Sequence, residues 1–378
     1  MKILIAPQGF KGSLKSHEAA GAMAGGVKSA RPDAEVVILP ISDGGEGTVR
    51  AMVAATGGRL YSANVTGPLG DEVEADWGIL GDNATAVIEM AAASGLNLVP
   101  QDRLDPMAAT TFGTGELIRA ALEAGCRRLI IGLGDSATTD GGAGMAAALG
   151  VSFLDANGLP VPRGGAGLSR LAHIEMSGRY YLVAHSTITG ACDVTNPLFG
   201  PEGAAYVYGP QKGATPDMIA RLDSGLRNLA IIIERDMGVR VGDMPGAGAA
   251  GGLGAGLVAF LGASLQPGID IILDCIHFDE YLAGIDLVLT GEGRIDRQTP
   301  RGKTVAGIAR RAKRIGKPVI AFAGELGSGY QDILNCGVAK VVGITPEGVS
   351  REDAMKQATR FLADAVKHTL ENFRLIKE

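Results

Sequence analysis

Asp43 and Glu46 stand three residues apart in Ser42-Asp43-Gly44-Gly45-Glu46-Gly47-Thr48, directly after the apolar run Val36-Val37-Ile38-Leu39. Glycines let a backbone take positive φ and approach a ligand closely. A strand-to-helix turn also aims free N–H groups at whatever sits above it. Carboxylates there can hold Mg²⁺, accept hydrogen bonds from hydroxyls, or act as a base. The bland alternative is that Asp43 only caps a helix. Repetition favours chemistry over capping. Ser136-Ala137-Thr138-Thr139-Asp140-Gly141-Gly142 follows the run Leu129-Ile130-Ile131, and Asp193 and Asn196 close the run that begins at Ile188. Thr290-Gly291-Glu292-Gly293-Arg294-Ile295-Asp296 follows Leu287-Val288-Leu289. Two lysines sit in glycine loops, Lys11 in Phe10-Lys11-Gly12-Ser13 and Lys212 in Pro210-Gln211-Lys212-Gly213. Thr110-Thr111-Phe112-Gly113-Thr114 opens a helical pattern and offers a seat for phosphate or carboxylate. Acids for a metal, cations and N–H groups for phosphates, and a base for a hydroxyl are the parts of phosphoryl transfer. The residues alone point to a small-molecule kinase or ligase.

Positioning these loops calls for a parallel α/β sheet, whose ligands bind beyond the carboxyl ends of its strands. Ile3 to Ala6 reads as a buried strand, His17 to Lys28 as a helix capped by Ser16, Val36 to Leu39 as the next strand, and Thr48 to Ala55 as a helix. From Leu60 to Met90 the runs alternate between turn residues and read as antiparallel strands. A helix is expected over Glu116 to Ala124, a strand over Arg128 to Leu133, and a long amphipathic helix over Pro216 to Asp236. Residues 245–256 are the most glycine-dense stretch and read as a tight loop running into a close-packed helix. The last third returns to α/β order, with strands at 286–289, 318–324 and 341–344 and helices at 303–314, 330–335 and 351–373. The expected fold class is α/β in two domains. A discontinuous Rossmann-like parallel-sheet domain takes 1–62 and 285–378, and a mixed α/β domain is inserted over 63–284.

Composition narrows the classes. The 378 residues include 57 glycines, roughly twice the usual share of about 7%. They cluster in turns after apolar runs, not in a collagen or linker pattern. The formal net charge of −6 argues against a polyanion-binding surface, so no nucleic acid partner is expected. Four widely spaced cysteines form no metal-ligand spacing, and the five histidines form no zinc motif. There is no basic, apolar leader and no run of about 18 apolar residues. A soluble cytoplasmic protein without a membrane partner is expected, with a homodimer left open. GxxxxGK[ST], a well-placed GxGxxG and a GxSxG elbow are all missing, which sets aside P-loop NTPases, nicotinamide dehydrogenases and serine hydrolases.

Nine segments, in order, resemble the bacterial type-1 glycerate kinases. They are Ile5-Ala6-Pro7 with Phe10-Lys11-Gly12-Ser13-Leu14, Asp43-Gly44-Gly45-Glu46-Gly47-Thr48, Val65-Thr66-Gly67-Pro68-Leu69-Gly70, Glu89-Met90-Ala91-Ala92-Ala93-Ser94-Gly95-Leu96, Ser136-Ala137-Thr138 with Asp140-Gly141-Gly142, Cys192-Asp193-Val194-Thr195-Asn196-Pro197-Leu198, Gly209-Pro210-Gln211-Lys212-Gly213-Ala214, Pro245-Gly246-Ala247-Gly248-Ala249-Ala250-Gly251-Gly252 and Thr290-Gly291-Glu292-Gly293-Arg294-Ile295-Asp296. The resemblance implies ATP- and Mg²⁺-dependent phosphorylation of D-glycerate, generally to 2-phosphoglycerate, with the active site in a cleft between two α/β domains. Two positions depart from the family pattern. Gln8 stands where the family usually has Asp, and Asp135 where it usually has Gly. Gln8 keeps three alternatives open: a kinase of a related small hydroxy acid, glycerate 3-phosphorylation, and a non-catalytic ligand-binding homologue.

The roles expected for a glycerate kinase are these. Asp193 is the first candidate for the base and Asp43 the second, with Lys11 as a catalytic cation. Arg294, Lys212, Glu46 and Asn196 are candidates for substrate binding. Thr111, Thr114, Ser136, Thr138, Gly141 and Glu292 are candidates for contacts to ATP. Asp296 and Glu292 are candidates for Mg²⁺.

Overall fold

The computed structural model describes residues 1–10, 12–41 and 47–373. Lys11, Asp43 and Glu46, three of the expected site residues, lie outside the described residues. In chain order the strands are β1 (Lys2–Ile5), β2 (Glu35–Ile38), β3 (Arg59–Thr66), β4 (Glu72–Ile79), β5 (Thr85–Glu89), β6 (Arg128–Gly132), β7 (Ser152–Leu154), β8 (His173–Glu175), β9 (Thr187–Ala191), β10 (Ser264–Gln266), β11 (Leu287–Ile295), β12 (Val319–Leu326) and β13 (Val338–Gly343). The chain divides into two units, Met1–Gly44 with Gly268–Glu378, and Gly45–Pro267.

The first unit is built on a five-stranded sheet in the order β13-β12-β11-β1-β2, every pair parallel. Ile3, Ile5, Leu287 and Leu289 pack against Met23 and Val27 of the helix Ser16–Ala30 and against Leu362 and Val366 of the helix Ala358–Glu371. All eight are fully buried, and each stabilises the fold by roughly 1.5–3 kcal/mol relative to exposure. The strand order has a consequence for function. From β1 the chain crosses to β2 on one side, and from β11 it crosses through the helix Thr304–Arg314 to β12 on the other. Right-handed crossovers in opposite directions put their helices on opposite faces of the sheet. The topological switch point therefore lies between β1 and β11, and open α/β sheets bind ligands outside the carboxyl ends of the strands at such a point.

The second unit carries a six-stranded sheet in the order β10-β9-β6-β5-β4-β3. Its β3–β4–β5 part is antiparallel, in keeping with the alternation over 60–90, and β5, β6, β9 and β10 are parallel. The core draws Leu117, Ile118 and Leu122 from the helix Phe112–Glu123, Leu226 and Leu229 from Pro216–Met237, and Leu253 and Leu257 from Ala249–Leu261. Among the described residues no helix is long and apolar enough to cross a membrane.

Three expectations change. The unit boundaries fall at 44/45 and 267/268, not at 62/63 and 284/285. The reason at the first is that β3 pairs with β4 over its whole length, from Arg59↔Ile79 to Thr66↔Glu72. At the second, the helix Gly268–Cys275 is tied into the first unit, because Arg311 donates to the Asp270 carbonyl at 2.9 Å and to Asp274 at 2.6 Å. The expected turn at 290–296 is strand as far as Ile295, since β11 stays paired with β12 to Ile295↔Leu326. The closing helix is two helices, Arg351–Lys356 and Ala358–Glu371.

Candidate active site

In the second unit, β6 runs into a loop that is fastened by two buried charges of opposite sign. Asp140 is completely buried. Its carboxylate accepts from the Thr111 N–H at 2.8 Å, the Thr111 hydroxyl at 3.0 Å, the Thr110 hydroxyl at 3.3 Å, and the N–H groups of Gly142 and Gly144 at 3.1 and 3.2 Å. Burial pushes its pKa up, while the bonds from Thr111, Gly142 and Gly144 pull it back. One carboxylate thus ties the start of the helix Phe112–Glu123 to the start of the helix Ala143–Ala148. Lys212, only 2% exposed, grips the same loop from its other end. Its ammonium donates to the Ser136 hydroxyl at 2.8 Å and to the Thr138 carbonyl at 2.6 Å. Burial pushes the Lys212 pKa down to about 7, with the negative charge of Asp140 acting the other way.

These contacts place several of the expected site residues. The Thr111 hydroxyl donates to Asp140 and accepts from the Met145 N–H at 2.8 Å. Thr114 pairs with Ser94, hydroxyl to hydroxyl at 2.9 Å, in full burial. The Ser136 hydroxyl accepts from Lys212, whose side chain is buried. Gly141 donates its N–H to the Gly251 carbonyl at 3.1 Å, and the Thr138 hydroxyl is buried with no partner among the described residues. Asn196 is committed on both sides of its amide, donating to the Glu202 carbonyl at 2.8 Å and accepting from the Tyr208 hydroxyl at 2.7 Å. Asp193 is exposed, two residues past the carboxyl end of β9. Thr111, Ser136, Thr138, Gly141 and Lys212 are therefore brought together around one loop. Asp140, the residue that organises it, was not among the expected site residues. Its signal in the sequence is a lone carboxylate in a run of small uncharged residues, from Ser136 to Ala148.

The departure at Asp135 has a conformational explanation. Its φ is 52°, in the left-handed region, and its carbonyl accepts from the Leu96 N–H at 2.8 Å. Glycine occupies that region freely, and Asp is one of the few other residues that enter it at modest cost.

In the first unit the carboxyl ends of β1 and β11 carry a second cluster. Ala6 donates to the Leu289 carbonyl at 2.8 Å, and Gln8 to the Gly291 carbonyl at 2.9 Å. The register Ile3↔Leu287 to Ile5↔Leu289 thus continues past the end of β1 and sets Gln8 beside Glu292. Glu292 is 5% exposed. Burial pushes its pKa up to about 7, and the positive charge of Lys303 and a hydrogen bond from Thr299 act against that rise. The Oε1 atoms of both Gln8 and Glu292 are buried and lack a partner among the described residues. Arg294 is half-exposed and pairs with Asp296 and with Glu325, each at 3.3 Å. Asp296 also accepts from the Gln298 N–H at 2.9 Å.

Comparison with known proteins adds an independent line. The family model described as "Glycerate kinase family" matches residues 3–374. The chain is 52% identical over 326 residues to the glycerate 2-kinase of Escherichia coli K12, covering 86% of each chain. It is 49% identical over 377 residues to the glycerate kinase of Bacillus subtilis 168, covering 100% of this chain and 99% of that one. Among solved structures, one from Salmonella typhimurium LT2 assigned as a glycerate kinase 2 superposes with a TM-score of 0.84 at 50% identity, covering 98% of this chain and 97% of the other.

Proposed function

This chain belongs to the glycerate kinase family, and on that premise we propose that it transfers the γ-phosphoryl group of ATP to the 2-hydroxyl of D-glycerate. The observation that carries the reading is the match to glycerate kinases over nearly the whole length, 3–374. In the reaction the substrate oxygen forms the new O–P bond, the bond from Pγ to the ADP oxygen breaks, and the hydroxyl proton goes to a carboxylate. Phosphoryl transfer runs through a loose transition state, so that acceptor mainly orients the hydroxyl and takes its proton late. Asp193 is the residue we assign to this task. Its exposure at the end of a parallel strand suits contact with a substrate and release of the proton to water.

ATP chemistry calls for Mg²⁺, which neutralises charge on the transferring phosphates. Among the described residues, the donor set of the first unit does not fit a protein-held ion. Asp296 is engaged by Arg294 and by the Gln298 N–H. Glu292 has Lys303 as a positive neighbour and Thr299 on its carboxylate. Among the described residues no three His, Cys, Asp or Glu side chains converge. We therefore assign the ion to the nucleotide's phosphates and not to Asp296 and Glu292.

The roles are tested by substitution. Asp193→Asn is expected to lower kcat by roughly 10²–10⁴, with little change in thermal stability. A rate near that of the wild type would remove Asp193 from the reaction. A panel of small hydroxy acids, read by ADP release, tests the substrate. Turnover greatest with another acid would keep the kinase and replace glycerate.

A further inference from the structure

We propose that the switch-point crevice of the first unit is a recognition site for a vicinal diol, with Gln8 and Glu292 each accepting one hydroxyl. The inference rests on the kinase reading above and extends it to a site at the ends of β1 and β11.

The strand order reverses between β1 and β11, so the crevice outside their carboxyl ends is where this sheet is built to take a ligand. The register sets Gln8 and Glu292 there as neighbours on adjacent strands. Side chains alternate along each strand, which puts both on the face opposite Ile3, Ile5, Leu287 and Leu289. Each carries a buried side-chain oxygen with no donor among the described residues. A buried acceptor left unpaired costs about 1–3 kcal/mol, so two side by side are an expensive feature for a fold with no use for them. What would satisfy them is a ligand with two hydrogen-bond donors on adjacent atoms.

The chemistry favours hydroxyls over a metal ion. Only one of the two groups is a carboxylate. Lys303 lies close enough to act on Glu292, which opposes a second cation. Two hydroxyls on neighbouring carbons would each bond to their own acceptor. Two ligands of this reaction carry such a diol, glycerate with its 2- and 3-hydroxyls and ATP with its ribose.

The test is a set of calorimetric titrations that need no turnover. D-glycerate is compared with lactate and 3-hydroxypropionate, each lacking one hydroxyl, and ATP is compared with 2′-deoxy-ATP and 3′-deoxy-ATP. The wild type is expected to bind one of the two diols at least tenfold more tightly than its deoxy analogues. In Gln8→Met and Glu292→Met that preference should fall to within about twofold for the analogue that lacks the matching hydroxyl. Gln8→Glu and Glu292→Gln keep an acceptor oxygen and should keep the preference. Loss confined to glycerate makes the crevice the substrate's diol site, and loss confined to ATP makes it the ribose site. Should the Met variants fail to fold, the wild-type ratios and the two conservative variants still decide. The proposal is overturned if the wild type shows neither preference, if the Met variants weaken diol and deoxy ligands equally, or if they lower Mg²⁺ binding instead. Failure of the kinase reading would look different, as absence of phosphoryl transfer by the wild type with diol preference intact.

Discussion

Lys212 carries its charge into a place with almost no water, where it donates to a hydroxyl and a carbonyl. Its folded pKa of about 7 lies well below the ordinary 10.5. Between those values the unfolded chain holds a proton that the folded chain has released. Stability therefore rises with pH across that window, and the cost of burying the charge is felt in full below pH 7. Denaturant midpoints at pH 6.5 and pH 9 should rise more with pH in the wild type than in Lys212→Met. Parallel slopes would mean that Lys212 does not titrate there. Asp140 is the opposite case, a carboxylate surrounded by donors. Asp140→Ala leaves the Thr110, Thr111, Gly142 and Gly144 donors without their acceptor. A destabilisation of about 3–5 kcal/mol is expected in urea unfolding; a loss under 1 kcal/mol would show that the carboxylate is not the clamp. Sequence reading singled out Lys212, Thr111 and Ser136 as polar residues in glycine-rich loops, but not the bonds that they make inside the protein. Type and spacing do not tell whether a polar side chain faces a substrate or another loop. That depends on tertiary partners such as the Lys212–Ser136 bond, 76 positions apart.

At the scale of elements, the loop after β6 is held in shape by its backbone as much as by its side chains. Asp135 sits at φ 52°, so Asp135→Gly relieves a left-handed residue of its side chain. Relief of up to about 1 kcal/mol is expected, reduced in part by the greater freedom of glycine in the unfolded chain. A rise in the urea midpoint would support this, and a fall would show that the Asp135 side chain contributes more than its strain costs. Gly251 lies where a Cβ would strike the Thr138 carbonyl, at a φ of +67°. Gly251→Ala should displace the loop that Lys212 holds and destabilise the protein by more than about 2 kcal/mol. An alanine variant as stable and active as the wild type would contradict the close packing. The strands β1, β2 and β6 and the parallel order of the ends of the chain were legible, because buried apolar runs between glycine turns have few other readings. The continuation of β11 through Thr290-Gly291-Glu292-Gly293 was not. Glycines signal a turn locally, and it is the pairing with β12 that keeps this segment extended.

For the whole molecule, the two-part α/β organisation could be read from the change of pattern near residue 60 and its return near 285. The unit limits were less legible, since they depend on β3 pairing along all of β4 and on Arg311 holding the helix Gly268–Cys275. Family membership was legible because nine weak motifs kept their order along the chain, and 49% identity over 377 residues bears it out. The central claim is about the reaction, and ³¹P NMR of the purified protein with Mg-ATP and D-glycerate tests it most directly. The account predicts a growing 2-phosphoglycerate resonance matched by ADP. A 3-phosphoglycerate resonance would contradict the assignment of the attacking hydroxyl, and ATP left unchanged beside D-glycerate would contradict the function itself.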